Sequence, residues 1–502
     1  MAQQENRFGA VETRGIEPVP DGQRTGSSRQ LFWVWFAANI SILGLPLGAT
    51  LVALRSLNLW QALIVGAIGS FGSFALVGLI SVAGKRGGAP SMTLSRAPFG
   101  PHGNKGPTLV SWLSRVGWET VNTTTAAFAL LALLDIAFGW HSTTVLTVIS
   151  ILVFVAATLA VSGLGHATLL VIQKYATWAF GALNIVVAGF LIDRVNWHAV
   201  AHAPAAPVSA IIVGIGTIAA GTGIGWANAG ADMARYQPRR AKGAHLVASA
   251  AAGAGIPLVL LITLGGLLSF GDNSIAVASD PVAAIQQMLP AWMAIPYLIA
   301  AFGGLLLSNN LSVYSAGLTL ITLGVRLRRT LAVGLDVILT LAGAIYLMLI
   351  AKNFYGPFIT FISLLAVPIT AWVAVFLIDM IWRKEYDAEG LMNTHRGGRY
   401  WHHGGIGWPA FIGWLAGIGV GLLFTVAETS ATDVWFAGPL ADSWFGRNGL
   451  GWVVAFVVAG VIYLPFAALA HRRAHPDGRS ASAPAGPSGP VSPAEPVGVA
   501  RS

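Results

Sequence analysis

The chain has 502 residues, of which 55% are hydrophobic and only 10% are charged. It contains no cysteine, which excludes disulfides, thiol nucleophiles and cysteine-ligated metal sites. A net charge of +9 would suit nucleic-acid binding in a soluble protein, but membrane proteins also concentrate Lys and Arg in their cytoplasmic loops.

Apolar runs long enough to cross a bilayer recur from Leu31 to about His471. The sequence therefore predicts an all-α polytopic membrane protein of about twelve transmembrane helices in a lipid bilayer. The predicted spans cover residues 31–54, 59–83, 108–135, 142–163, 168–192, 208–233, 244–270, 291–323, 331–351, 355–381, 408–427 and 450–471.

Polar segments are predicted at both ends of the chain. Residues 1–28 have no apolar core of the kind that a secretory signal needs, so we expect a disordered cytoplasmic N-terminus. Residues 472–502 include a stretch rich in Pro, Ser, Ala and Gly that cannot bury enough apolar area to offset its ordering entropy. We expect a disordered cytoplasmic tail there.

The basic residues are distributed unevenly between the two sides of the predicted bundle. If the N-terminus is cytoplasmic, the outer loops hold only Arg55, Arg194, Lys352 and Arg447. This bias predicts a multi-pass protein of the cell membrane with both termini inside. It also accounts for the basic composition without a nucleic-acid partner.

Two glycine-rich interruptions fall in the middle of spans one and six. The residues predicted to break these helices are Gly44, Pro46 and Gly48 in "GLPLG" and Gly221, Gly223 and Gly225 in "GTGIG". The two motifs are offset by 177 residues, about the length of a five-helix unit. Five is odd, so we expect two inverted repeats, at residues 29–192 and 193–381, followed by a cytoplasmic loop at 382–407 and accessory spans at 408–471.

A broken helix at membrane depth frees backbone N–H and C=O groups that lipid cannot satisfy but a polar solute or a cation can. The alternative is that these glycines only let helices approach closely. The matched offset and the polar residues beyond Gly225 favour a binding cavity.

Spans three and six offer aromatic and amide groups to such a cavity. Trp118 and Asn122 are four residues apart and share one helix face, which suits a planar heterocycle with polar edges. Trp226, directly after the break, could supply a second ring for stacking. Packing or anchoring at the membrane interface is the alternative role for each tryptophan.

Span eight carries two adjacent amides, Asn309 and Asn310, followed by Ser312. The two asparagines point about 100° apart on a helix, so one can face a ligand while the other bonds to a neighbouring helix. The spacing does not choose between them.

Ionisable residues inside spans are costly and need partners. Arg115 and Glu119 are four apart and could pair with each other. Asp336 is expected near a span end. Asp232 and Arg235, at the inner end of span six, fit a gate or a structural ion pair better than substrate contact.

Four segments together resemble a known transporter family. They are "FWVWFAANISILGLPLG" in span one, "GWETVN" in span three, "GWANAGADMARYQP" in span six and "SNNLSVYSAGL" in span eight. With these, the chain resembles the purine–cytosine permease branch of the nucleobase:cation symporter family from "GIEPVP" at residues 15–20 through the last spans. The resemblance implies a leucine-transporter-type fold, with ten helices in a five-plus-five inverted repeat and two accessory helices.

The resemblance also implies import of a nucleobase, cytosine or a purine, by cation symport through alternating access. The alternative substrates are related heterocycles such as allantoin, a hydantoin or a B-group vitamin. In that family the base lies between aromatics of spans three and six, which match Trp118 and Trp226, beside Gly225. The amide one turn later matches Asn122. The span-eight asparagine of the family matches Asn309, Asn310 or Ser312.

The coupling ion is either a proton or sodium, and no other cofactor is expected. In sodium-coupled relatives the cation lies between span-one carbonyls, near Gly44 here, and span-eight hydroxyls, often an adjacent pair. Here Ser312 is followed by Val313. Val313 cannot supply the second hydroxyl ligand to sodium, which favours proton coupling. Glu119, next to Trp118, is then the candidate proton carrier.

Other classes of function fit the sequence poorly. A membrane enzyme needs a nucleophile, a metal cluster or a carboxylate pair at membrane depth, and the adjacent His402 and His403 lie in a loop. A channel needs a continuous polar pore, whereas the two breaks predict one midplane site. We therefore expect a transporter rather than an enzyme, with no bound metal.

Overall fold

The computed structural model describes residues 12, 14–162, 166–270, 273–278, 280–325, 329–351, 355–430 and 433–474. The predicted disordered tail begins at residue 472, but residues 472–474 continue the last helix; the rest of the predicted tail, from residue 475 onward, lies outside the described range. Eleven described helices are long and apolar enough to cross a membrane, and a bent pair at the start of the chain makes a twelfth. The expected twelve-span architecture is confirmed.

Each span is named here by its order in the chain. Spans one to six are Ser28–Asn39 with Gly44–Ala53, Leu59–Gly87, Lys105–Phe138, Thr144–Ser162, His166–Ile192, and Val208–Ala219 with Ala220–Ile224 and Gly225–Ala227. Spans seven to twelve are Gly243–Leu268, Ala291–Leu323, Arg329–Ile345 with Tyr346–Ala351, Tyr355–Trp382, Trp408–Leu423 and Gly451–Ala474.

Short elements connect the spans. The connecting helices are Asp21–Gln23, Ser91–Leu94, Arg96–Gly103, Trp197–His202, Ser274–Val277, Pro281–Gln286, Ala388–Met392, His403–Gly405 and Trp444–Arg447. Two antiparallel strands, Val426–Ser430 and Asp433–Ala437, pair with each other between spans eleven and twelve, which the helical pattern did not predict.

The sequence sets the ends of the long helices through local capping. Asn58 and Gln61 exchange side-chain to backbone hydrogen bonds at the start of span two, which satisfies donors that would otherwise be free. Spans two and three end where Gly88 and Gly139 take positive φ values of 65° and 68°, a conformation that glycine adopts without strain.

Corresponding helices of the two halves pack against each other. Span two packs along span seven, and span three packs along span eight. Two short helices after span two lie on the side of the N-terminal segment, and two after span seven lie on the opposite side. This arrangement is the inverted repeat predicted from the glycine offset, and spans eleven and twelve pack outside it against span ten.

The break in span one does not fall at the predicted residues. Its two helices meet at an angle of 62°, and the intervening break is at residues 40–43. Gly44, Pro46 and Gly48 instead form the first turns of the second helix. Proline is tolerated there because the first backbone N–H groups of a helix have no intrahelical partner.

Gly44 and Gly48 serve packing in this half of span one. A methyl group on Gly48 would overlap the carbonyl oxygen of Ile262 in span seven. A methyl group on Gly44 would meet the side chain of Leu261, the preceding residue of span seven. Of the two roles that the sequence left open, these glycines therefore let neighbouring helices approach closely and do not break the helix.

The N-terminal segment is ordered where the structure describes it. Arg24 donates to the carbonyl oxygens of Val19 and Lys85, at 2.8 and 3.0 Å, and Gly26 donates to that of Tyr236. The expectation of a disordered N-terminus is wrong for residues 14–28, because their backbone and side chains bond to the ends of spans two and six.

Candidate functional site

The break in span six lies where the sequence predicts it. Residues Ala220–Ile224 form a widened turn in which Thr222 leaves helical geometry, with φ −130° and ψ −105°. Ser73 of span two satisfies part of the break, because its hydroxyl accepts the Gly223 N–H at 3.1 Å and lies 3.2 Å from Thr222 Oγ1. Gly221 and Gly223 are within the break, and Gly225 begins the helical turn that follows.

The two tryptophans flank this turn. The indole of Trp118 lies directly against Gly225, where a Cβ would meet its Nε1. Trp226 is buried one residue later and packs edge to face with Trp35 of span one, with ring centroids 5.5 Å apart. Trp118 packs edge to face with Phe358 and Phe361 of span ten.

Arg115 occupies one face of Trp226. Its guanidinium carbon lies 4.4 Å from the ring centroid, and its Nη2 donates to the carbonyl oxygen of Gly225. The side chain is fully buried, and its Nε and Nη1 have no hydrogen-bond partner among the described residues. The predicted ion pair between Arg115 and Glu119 is not among the described ion pairs, because the arginine bonds to the freed backbone of the break instead.

The structure places the two span-eight asparagines in different environments. Asn122 Nδ2 donates to Asn309 Oδ1 at 3.4 Å, and Asn309 Nδ2 donates to Thr158 Oγ1 at 3.1 Å. Asn310 instead accepts a hydrogen bond from Ser162 of span four at 3.0 Å. Asn309 therefore lies with Asn122, and Asn310 bonds to a neighbouring helix.

Two of the three candidate coupling-ion residues lie together. Gly44 packs against span seven, whereas the hydroxyl of Ser312 lies beside Glu119. Glu119 is fully buried and accepts a hydrogen bond from Thr340 of span nine at 3.2 Å. Asp336, expected near a span end, is fully buried and accepts from Trp112 Nε1 at 2.9 Å.

Asn228 is a buried residue of this region that the sequence reasoning left out of the site. It follows Trp226 by two residues, and both polar atoms of its amide lack a hydrogen-bond partner in the described part of the chain. Its position in "GWANAG" was the available signal, since a polar residue directly after a helix break at membrane depth needs partners.

A second polar cluster closes the N-terminal side of the bundle. Arg235 donates to Glu12 Oε1 at 2.5 Å, to the hydroxyl of Tyr314 at 2.8 Å and to the carbonyl oxygen of Gly15 at 2.6 Å. Tyr236 also donates to Glu12 Oε1, at 2.6 Å. Burial raises the pKa of Tyr236 to about 12, so this phenol stays protonated as a donor at neutral pH.

The ion-pair partner of Arg235 is Glu12, and Asp232 has a separate set of partners. It accepts from the backbone N–H of Ser91 at 2.7 Å and from the hydroxyl of Ser315 at 2.6 Å. These bonds tie the end of span six to the helix after span two and to span eight. We refer to Glu12, Asp232, Arg235, Tyr236 and Tyr314 as the N-terminal-side cluster.

A large cavity lies on the opposite side of the bundle. Its volume is about 830 Å³, and its lining reaches inward to Ala220 at the span-six break and to Ile362 of span ten. The cavity found on the N-terminal side is smaller, about 270 Å³, and is lined by Gly26 and Tyr236 among others. Among the described residues, no group of three or more His, Asp or Glu side chains could hold a metal ion.

Solved structures of transporters share this architecture. The chain is similar to Mhp1, a nucleobase-cation-symport-1 family transporter in a closed conformation with bromovinylhydantoin bound, with a TM-score of 0.69 and 19% sequence identity over 92% of this chain and 96% of that one. It is also similar to MhsT in complex with L-phenylalanine, with a TM-score of 0.55 and 13% identity over 89% and 99% of the two chains. The expected leucine-transporter-type fold is confirmed.

Curated relatives are similar along the sequence. A putative purine-cytosine permease of Bacillus subtilis, YxlA, is 26% identical over 90% of this chain and 95% of its own length. The purine-cytosine permease FCY2 of Saccharomyces cerevisiae is 26% identical over 54% of this chain and 49% of its own. The model of the family described as permeases for cytosine/purines, uracil, thiamine and allantoin matches residues 18–454, so the chain belongs to this family of membrane transport proteins.

Proposed function

We propose that this permease imports a nucleobase, cytosine or a purine, by cation symport through alternating access. The observation that carries the proposal is the pair of amides, Asn122 and Asn309, beside Trp118 and Trp226 at the broken span six. A nucleobase has flat faces that suit indole rings and polar edges that suit amide donors and acceptors. The presence of both kinds of group near the break supports a nucleobase as the substrate.

The relatives support the same class of substrate. Two of them are named as purine-cytosine permeases, and the family description includes cytosine and purines. The alternative is a related heterocycle such as allantoin, a hydantoin or a B-group vitamin. Mhp1, a fold relative, carries bromovinylhydantoin.

Competition for uptake tests the substrate. Cells that express the protein are given radiolabelled cytosine together with an excess of each unlabelled purine, uracil, allantoin, hydantoin or thiamine. We expect cytosine or a purine to compete most strongly, and the recovered base to be chemically unchanged. If allantoin, a hydantoin or thiamine competes most strongly, that compound is the substrate and the proposal of cytosine or a purine is wrong.

The two ends of the bundle support alternating access. The 830 Å³ cavity reaches the span-six break from one side, while the N-terminal-side cluster packs across the other. The excess of Lys and Arg near the N-terminal side argues that this side is cytoplasmic, with both termini inside. The described conformation then corresponds to a state that opens outward.

The same residues support proton coupling more than sodium coupling. Glu119 places a carboxyl group one residue from Trp118, whereas Gly44 and Ser312 face different neighbours. Uptake into proteoliposomes under an inward proton gradient without sodium should be concentrative and should collapse with a protonophore. Accumulation that follows a sodium gradient at symmetric pH would overturn proton coupling.

A further inference from the structure

Two buried acidic side chains meet between spans three and nine. Glu119 and Asp336 are both fully buried, and their carboxyl groups lie within interaction range of each other. The flanking contacts fix this arrangement, because Trp112 of span three bonds to Asp336 and Thr340 of span nine bonds to Glu119. Gly343 allows the helices to approach at the next turn, where it packs against Thr120.

The hydrogen bonds divide the four carboxyl oxygens into two kinds. Asp336 Oδ1 accepts from Trp112, and Glu119 Oε2 accepts from Thr340. Glu119 Oε1 and Asp336 Oδ2 have no hydrogen-bond partner within the described residues. One unpartnered oxygen on each carboxyl group is the arrangement in which a single proton can be shared, with one group as donor and the other as acceptor.

The surroundings make two adjacent negative charges unfavourable. Neighbouring carboxylates in a water-poor site repel each other, and a shared proton removes that repulsion. Arg115, on the same helix as Glu119, is the charged group that faces both carboxyl groups. Asp232 lies near this arginine. Span eight contributes the neutral hydroxyl of Ser312. One proton on the pair leaves a charge of minus one beside the positive arginine.

We propose that Glu119 and Asp336 together form the proton-binding site of this transporter and carry one proton between them. The proposal rests on proton symport as the proposed function. On loading, a proton from water forms an O–H bond to one unpartnered oxygen and is hydrogen-bonded by the other. On unloading, that O–H bond breaks and the proton returns to water on the other side of the membrane.

Arg115 connects this pair to the proposed base site. It is the charged neighbour of both carboxyl groups, and it also covers a face of Trp226 and bonds to Gly225. Loss of the proton increases the attraction of the pair for the arginine. The charge on the pair therefore acts on the group that occupies the proposed stacking surface.

The test compares Asp336→Asn and Glu119→Gln with the wild-type protein in proteoliposomes. Exchange of labelled for unlabelled base at equal pH needs no net proton movement, whereas accumulation driven by a pH gradient does. We expect each variant to keep exchange while losing about tenfold or more of the gradient-driven accumulation. The double variant should be no worse than either single one, because both remove the same proton site. Asp135→Asn, which changes an exposed carboxyl group on the same helix, is the matched control.

Infrared spectroscopy of the purified protein gives a readout that does not depend on transport. A shared proton predicts a protonated-carboxyl band that titrates with pH and is lost in both single variants. If Asp336→Asn fails to fold, Thr340→Val removes only the donor to Glu119 and should shift the titration of this band to higher pH, since the donor favours the ionised form.

Several outcomes would overturn the proton pair. They are unchanged gradient-driven accumulation in Asp336→Asn, a band lost in only one of the two variants, and a sodium dependence that either variant weakens. The last outcome would assign the two carboxylates and nearby hydroxyls to a sodium ion instead. If the wild-type protein exchanges no nucleobase but keeps the shared band, the proposed substrate is wrong and the proton pair stands.

Discussion

Polar groups in the middle of the bundle and those at its N-terminal side differ in how their hydrogen bonds are satisfied. At the N-terminal side, the carboxylate of Glu12 accepts from Arg235, Tyr236 and Tyr314, and Asp232 accepts two further bonds. In the middle, five side chains carry a buried polar atom with no partner among the described residues: Arg115, Glu119, Ser312, Asn228 and Asp336. In the N-terminal-side cluster both carboxylates are satisfied, and the atom of this kind is Nε of Arg235.

The difference indicates what each region does. Buried polar groups in proteins are nearly always hydrogen-bonded, so a group of such atoms fits a place where water or a transported species completes the bonding. A cluster whose carboxylates are satisfied by neighbouring spans instead holds those spans together. The middle region fits binding, and the N-terminal-side cluster fits a closed gate.

The strongest test of the middle region is Trp226→Ala. We expect it to abolish saturable uptake while membrane expression stays normal, because the change removes a stacking surface without unfolding the bundle. Trp226→Phe should retain part of the activity, since the ring face matters more than the indole N–H. Initial uptake rates over a range of base concentrations measure both effects.

A control tryptophan separates stacking from general loss of an aromatic side chain. Trp178 is 61% exposed on the outside of span five, so Trp178→Ala should leave uptake near the wild-type level. Near-normal affinity in Trp226→Ala would rule out a stacking role for that residue.

The strongest test of the N-terminal-side cluster is Arg235→Ala. The change leaves the buried carboxylate of Glu12 without its positive partner, which costs about 3–5 kcal/mol for a buried pair. We expect a lower unfolding temperature in detergent. We also expect increased labelling of cysteines introduced at the N-terminal side, because the closed state loses its main contacts.

Arg239→Ala is the matched control for the N-terminal-side cluster. Arg239 also pairs with an acidic residue of the N-terminal segment, Asp21 at 3.0 Å, but both side chains are exposed. Exposed pairs of this kind contribute about 0–1 kcal/mol, so the control should change neither stability nor labelling by much. Equal effects of the two substitutions would contradict a gate role for Arg235.

A smaller effect is expected from the amide of span three. Asn122→Ala should weaken base binding by about 1–3 kcal/mol, the cost of leaving one polar edge unpaired in a desolvated site. Asn122→Asp keeps an acceptor but loses the donor, so it should change the preference among bases. An unaltered competition profile in both variants would make Asn122 a structural residue.

The sequence predicts the middle region better than the N-terminal-side cluster. The apolar runs and the glycine offset predicted the twelve spans and the inverted repeat, and "GTGIG" marked the observed break in span six. Local patterns suffice for these features, because helix length, glycine content and the four-residue repeat of a helix face are encoded within short segments.

Features that depend on contacts between distant segments were missed. The break in span one lies at residues 40–43, which contain neither glycine nor proline, and its backbone packs against Gly304 of span eight. Asp336 was expected near a span end because it lies close to the start of its predicted helix in the sequence. That position does not reveal which neighbouring helix the side chain faces. Glu12 falls in a polar segment, and its partners, which follow span six or lie in span eight, are at least 223 residues away.

The smallest effects should separate the adjacent asparagines of span eight. Asn309 lies with Asn122, whereas Asn310 bonds to Ser162 of span four, so only the first belongs to the proposed base site. Asn309→Ala should weaken base binding, by at most the amount expected for Asn122→Ala. Asn310→Ala should cost about 1 kcal/mol or less of stability, the usual value for a hydrogen bond between helices in a membrane, and leave the preference among bases unchanged. Competition profiles and thermal unfolding of the two variants measure this difference. A changed base preference in Asn310→Ala would show that Asn310 also belongs to the base site.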